Sequence, residues 1–199
     1  MTAIEVTPPR IAVIGLGNVL LGDDGFGPFV IEQLATQWDV PASVTLTDGG
    51  TPGLGLVTLL ADCDEAILVD CVAASGSPGE LRSYTDEELR TLPLKPRVSP
   101  HDPALVEALL FAEFSGKCPQ EVLLVGVVPQ ACELGCTMSD AAHIGMEGAI
   151  REVLEELHRL GVEAKLKVRP DEPAIWWKEE SSTVSLKEEG LAHVPGHPR

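Results

Sequence analysis

IAVIGLGNVLLGDDGFGPFV, residues 11–30, decides how the rest of this chain is read. Arg10 to Ile14 has the apolar character of a buried strand, and Gly15-Leu16-Gly17 breaks it. Asp24 to Trp38 then carries Phe26, Phe29, Val30, Leu34 and Trp38 at the spacing of one helix face. A strand, a glycine loop and a helix in that order open a parallel α/β sheet, and such a loop often cradles phosphate. Here two aspartates, Asp23 and Asp24, stand where a phosphate would dock.

The alternation continues outward. Val44 to Thr47 reads as a second strand ending in Asp48-Gly49-Gly50, Leu54 to Leu60 as a short helix, and Glu65 to Val72, centred on Ile67-Leu68-Val69, as a third strand. Gly79 to Tyr84 follows a Ser-Gly-Ser-Pro turn and reads as a fourth strand at an edge. Ala104 to Phe114 reads as helix. Glu121 to Val128 is a nearly continuous apolar strand of the kind buried on both faces. Met138 to Leu160 is the longest helix, with Ile144, Ile150, Val153, Leu154 and Leu157 as its inner stripe. The expectation is an α/β fold with a mostly parallel, five-stranded sheet covered on both faces.

From Lys165 onward the composition shifts to Pro, Glu, Lys and Ser and the periodicity ends. The expected division is a body over residues 1–164 and a polar, flexible tail over 165–199. Ile175-Trp176-Trp177 interrupts that tail, and two adjacent tryptophans could instead dock on the body or on a partner.

With 199 residues, 44% of them apolar, the chain suits one domain with one core. Its 31 acidic and 14 basic residues give a formal charge of −17, which repels nucleic acid and anionic lipid. No apolar run reaches the roughly 20 residues of a membrane span, and Met1 to Arg10 has no signal-peptide pattern. A cytoplasmic protein with neither a nucleic-acid nor a membrane partner is expected. Five cysteines without dense spacing fit reduced thiols.

Ligands of an open α/β sheet bind beyond the carboxyl ends of its strands. The residues expected there are Asn18, Asp23 and Asp24 after the first strand, Asp48 after the second, Asp70 at the end of the third, and Ser99-Pro100-His101-Asp102 before a helix. A dinucleotide site needs a third glycine, a bare helix N-terminus and an acid about 20 residues on. Leu20 stands at the third glycine position, Asp23 and Asp24 cap the helix, and Asp48 lies too far along. Two carboxylates and an imidazole suit a cation instead: zinc, nickel, iron or manganese, with coordination positions left for water or substrate.

Gly15-x-Gly17-Asn18-x-Leu20-x-x-Asp23-Asp24-Gly25-x-Gly27, Asp48-Gly49-Gly50-Thr51, Ile67-Leu68-Val69-Asp70, Ser99-Pro100-His101 and Leu124-Val125-Gly126-Val127-Val128-Pro129 follow one another in an order and spacing that resembles the nickel-iron hydrogenase maturation endopeptidases. The resemblance covers residues 10 to about 163 and implies a three-layer α/β/α sandwich around a twisted five-stranded sheet. It implies an enzyme that removes a C-terminal peptide from a hydrogenase large-subunit precursor after nickel insertion. By position it makes Asp24, Asp70 and His101 the metal-binding and catalytic residues, with nickel supplied by the substrate and other divalent metals able to occupy the site in isolation. Many members have Glu where this chain has Asp24.

Asp23 has two readings, a helix cap and a share in catalysis, and Asp48 has two, a turn former and a general base. What activates the water stays open between metal polarisation and an aspartic-type base. Cys71, next to Asp70, reads as a buried strand residue pointing to the opposite face. Cys132 and Cys136 form a single C-x3-C pair, weak as a zinc motif. His143 and His158 read as solvent-facing. The rival functions are a non-catalytic nickel-handling or checkpoint protein and a nucleotide-binding regulator.

Overall fold

The computed structural model describes residues 8–91, 102–116 and 118–173, the side chains of 102–104 excepted. Strand β1 (Ile11–Leu16) is buried at every position, as a strand covered on both faces must be. A short 3₁₀ turn (Gly22–Gly25) leads into α1 (Phe26–Gln37), whose Pro28 falls in the first turn, where its missing N–H costs nothing. There follow β2 (Trp38–Asp39), β3 (Val44–Gly50), α2 (Leu56–Leu60), β4 (Glu65–Cys71), β5 (Leu81–Thr85), α3 (Asp86–Thr91), α4 (Asp102–Phe114), β6 (Glu121–Val127), α5 (Asp140–Arg159) and β7 (Lys165–Leu166).

The main sheet has the order β3-β1-β4-β6-β5. Its first four strands run parallel, and β5 pairs antiparallel with β6 at the edge, so the expected mostly parallel, five-stranded α/β sheet is present. Strand alternation sorts the core into two layers. Ile11, Val13, Ile67, Val69 and Val125 pack with Phe26, Leu34, Val153 and Leu157 of α1 and α5. Ala12, Ile14, Leu68 and Leu124 pack on the other face with Leu56, Leu60, Leu89 and Leu109 of α2, α3 and α4.

One sequence expectation is corrected here, and two features without a pattern in the sequence are added. Ile144 is not in the inner stripe of α5: it is 79% exposed, while Ala142, Gly145, Met146, Ala149, Val153 and Leu157 face inward. The helix turns its small residues to the sheet because it lies against the turn at Gly79, where a side chain on Gly145 would meet the Gly79 carbonyl at 2.8 Å. The acidic stretch after β5 forms α3, which is too short to show a period. The segment expected as tail begins with β7, which pairs antiparallel with β2, and Lys167 donates through Nζ to the Ala35 carbonyl at 2.6 Å. Trp176, Trp177 and the rest of residues 174–199 lie outside the described residues.

The topology fixes where a ligand would sit. From β1 the chain passes through α1 to β3 on one side, then returns through α2 to β4 on the other. The strand order therefore reverses at β1, and the crevice beyond the carboxyl ends of β1 and β4 is the ligand position of an open α/β sheet.

Candidate functional site

Two glycines bring the acidic loop down onto the strand ends. Gly17 has φ +126°, and a side chain there would meet the Asp24 carbonyl oxygen at 1.7 Å. Gly27 lets the start of α1 touch backbone: a Cβ would lie 2.3 Å from the carbonyl oxygens of both Leu16 and Val69. The glycines thus serve close packing of loop and helix against β1 and β4, and the turn they seat carries Asp23 and Asp24, both fully buried.

The two acids have different surroundings. Asp23 accepts four hydrogen bonds: from the Gln130 and Ala131 amides at 2.7 and 3.3 Å, from the Ser139 amide at 2.6 Å and from the Ser139 hydroxyl at 2.9 Å. Its own amide donates to the Ala131 carbonyl at 3.0 Å. It does not cap its own helical turn. It ties down the loop that follows β6, and Ser139 in turn caps α5 by accepting from the Ala142 amide at 3.1 Å.

Asp24 faces the crevice between β1 and β4. Its Oδ2 accepts the Asn18 amide at 2.9 Å, and its Oδ1 lies 3.5 Å from the Cys71 thiol. Asp70, 2% exposed at the end of β4, accepts the Cys71 amide through Oδ1 at 2.7 Å. That oxygen lies 3.8 Å from the position a Cβ on Gly17 would take, so the loop after β1 and the end of β4 converge. Asp48 is exposed beside this rim and accepts the Gly50 amide at 3.0 Å, the geometry of a turn former. His101 lies outside the described residues, as do Ser99 and Pro100. His143 and His158 are exposed, as expected.

Cys71 and Cys132 were not legible as site residues. Cys71 keeps the strand alternation, sharing a face with Ile67 and Val69, but that is the face onto which Asp24 descends. Cys132 comes from the loop held by Asp23 and lies with its sulfur 3.8 Å from that of Cys71, while Cys136, its expected C-x3-C partner, is exposed. The hydrogen bond to Cys132, burial and the charges of Asp70 and Asp24 push the Cys71 thiol far up, and the same hydrogen bond draws Cys132 down. Among the described residues, Asp24, Cys71 and Cys132 bring one ligand atom each within 4.8 Å of one another.

This chain is similar to proteins with a common task. A family profile described as hydrogenase maturation protease matches residues 28–156. The chain belongs to the hydrogenase maturation protease family. It is 34% identical over 156 residues to the hydrogenase 2 maturation protease of Escherichia coli, covering 78% of this chain and 94% of that one. It is 36% identical over 160 residues to the hydrogenase expression/formation protein HoxM of Azotobacter vinelandii, covering 80% and 77%. The structure of the hydrogenase maturating endopeptidase HybD of E. coli superposes with a TM-score of 0.74 at 34% identity, over 79% of this chain and 98% of that one. The α/β fold is that of these maturation proteases, and peptidase chemistry comes with the family.

Proposed function

We propose that this maturation protease is an endopeptidase that removes a C-terminal peptide from the large-subunit precursor of a nickel-iron hydrogenase once nickel has been inserted. The observation that carries the reading is the pair of buried acids, Asp24 and Asp70, converging where the strand order reverses. Two buried carboxylates converging at a ligand crevice are a donor set that suits a divalent cation, which supports the reading. The cation in this reading belongs to the substrate: Asp24, Asp70 and His101 grip the precursor's nickel, which sets the scissile peptide bond beside the rim. Holding the bond in place then contributes much of the rate.

Asp23 has a supporting part. Four donors occupy its oxygens, which suits it to fixing the loop before α5 and not to moving a proton. Leu20, Leu54 and Leu134 are exposed in the loops beyond the carboxyl ends of the strands, apolar surface that suits a protein substrate.

The test is to incubate the protein with nickel-loaded and nickel-free precursor and weigh the products intact. Loss of one discrete C-terminal peptide from the nickel-loaded precursor alone is expected. Binding through nickel without a cut would favour the checkpoint alternative, and absence of binding would remove the assignment for that precursor.

A further inference from the structure

We propose that Cys71, Cys132 and Asp24 form a built-in thiolate site for a zinc-class divalent cation, two of whose three ligands lie outside the set proposed to read the substrate's nickel. The argument is geometric. A tetrahedral zinc ion with bonds of about 2.3 Å to sulfur and about 2.0–2.2 Å to oxygen holds two sulfurs about 3.8 Å apart and a sulfur and an oxygen about 3.5 Å apart. The Cys71–Cys132 separation is 3.8 Å and the Cys71–Asp24 separation is 3.5 Å. All three ligand atoms lie within 4.8 Å of one another. An ion placed among them would need little movement of its ligands.

Each ligand is held from a different direction. Cys71 sits in β4, in register with Val127 of β6, and the next amide, Val72, donates to the Val127 carbonyl at 2.8 Å. Cys132 directly follows Ala131, whose amide and carbonyl both bond Asp23. Asp24 is fixed through Oδ2 by the Asn18 amide. The donor set is two sulfurs and one carboxylate oxygen, soft enough to prefer zinc over magnesium or calcium, and three protein ligands leave a fourth position open. On binding, each thiol releases its proton to solvent and the sulfur electron pair goes to the metal, so the complex carries the ion's two positive charges against three negative ligands.

The site shares Asp24 with the nickel-reading set. An occupied site therefore withdraws one nickel ligand, a consequence for cleavage that rests on the proposed function. Metal binding itself does not rest on it.

Cobalt(II) added to the reduced, metal-free full-length protein tests the proposal directly. One equivalent should bind and give a sulfur-to-cobalt charge-transfer absorption with the visible bands of tetrahedral cobalt, and zinc should displace it. C132S, in a half-buried loop position, should bind cobalt at least about tenfold more weakly and lose most of the charge-transfer absorption, since even outer ligand partners are worth that much. C136S should keep both. C71A provides a second variant, checked for folding by its circular dichroism. The proposal is overturned if wild type gives no charge-transfer band, if C132S binds cobalt as wild type does, or if C136S removes the band.

Discussion

At the scale of single residues, two neighbouring aspartates divide the labour. Asp23 and Asp24 are equally buried, yet one meets four donors from the loop after β6 and the other turns to the crevice and Cys71. A buried donor left without its acceptor costs about 1–3 kcal/mol, so D23A should lower stability in urea unfolding by about 3 kcal/mol. Hydrogen exchange at the Gln130, Ala131 and Ser139 amides should speed up with it, and unchanged exchange would show that Asp23 is no clamp. The motif drew attention to Asp24 and Asp70 because an acid in a glycine loop and an acid after an apolar strand are conspicuous in one dimension. Asp23's bonds reach across 107 to 116 residues and the Cys71–Cys132 pair spans 61, so neither leaves a local pattern.

Glu65, at the opposite end of β4, supplies a pH prediction. Its Oε2 is buried without a hydrogen-bond partner, and desolvation, with the charge of Glu121 beside it, raises its carboxyl above the ordinary range. The folded state then holds the proton to higher pH than the unfolded chain does. Stability from this group is present at low pH and is lost as pH climbs through the ordinary carboxylate range and past it. E65Q should remove that loss. In urea midpoints taken from acid to neutral pH, the variant should gain on wild type as pH rises, and parallel curves would contradict the assignment.

At the scale of elements, the strands and main helices followed from their patterns, and the misses have physical reasons. The six residues of α3 and the two-residue strands β2 and β7 are too short for any period to register. In α5 the large apolar Ile144 was a misleading signal, since close packing against Gly79 selected the small face instead. The same logic makes Gly27 indispensable to the seat of α1. G27A would drive a methyl into two strand carbonyls, and overpacking of this kind typically costs about 1–3 kcal/mol. A loss of about 3 kcal/mol in unfolding free energy is expected, and a variant as stable as wild type would show that α1 can lift without penalty.

At the scale of the whole molecule, the sheet order produces the site and the charge sets its surroundings. A formal charge of −17 repels itself in the compact state, and salt screens it with a Debye length of about 10 Å at 0.1 M. The melting temperature should therefore rise between low and physiological ionic strength, and a flat or falling trend in calorimetry would mean that ion pairs such as Arg10–Asp64 outweigh the net repulsion. The described residues contain no helix long and apolar enough to cross a membrane.

The central claim, that the buried acids at the strand-order reversal are the working centre, is tested by one comparison. Wild type, D24A and D70A are each incubated with nickel-loaded large-subunit precursor, with cleavage read by intact mass and folding checked by circular dichroism. Folded variants that release the C-terminal peptide at least about 10-fold more slowly than wild type are predicted, since removing even an outer partner of a metal ligand costs about 10–100-fold. Folded variants that cut at the wild-type rate would contradict the account.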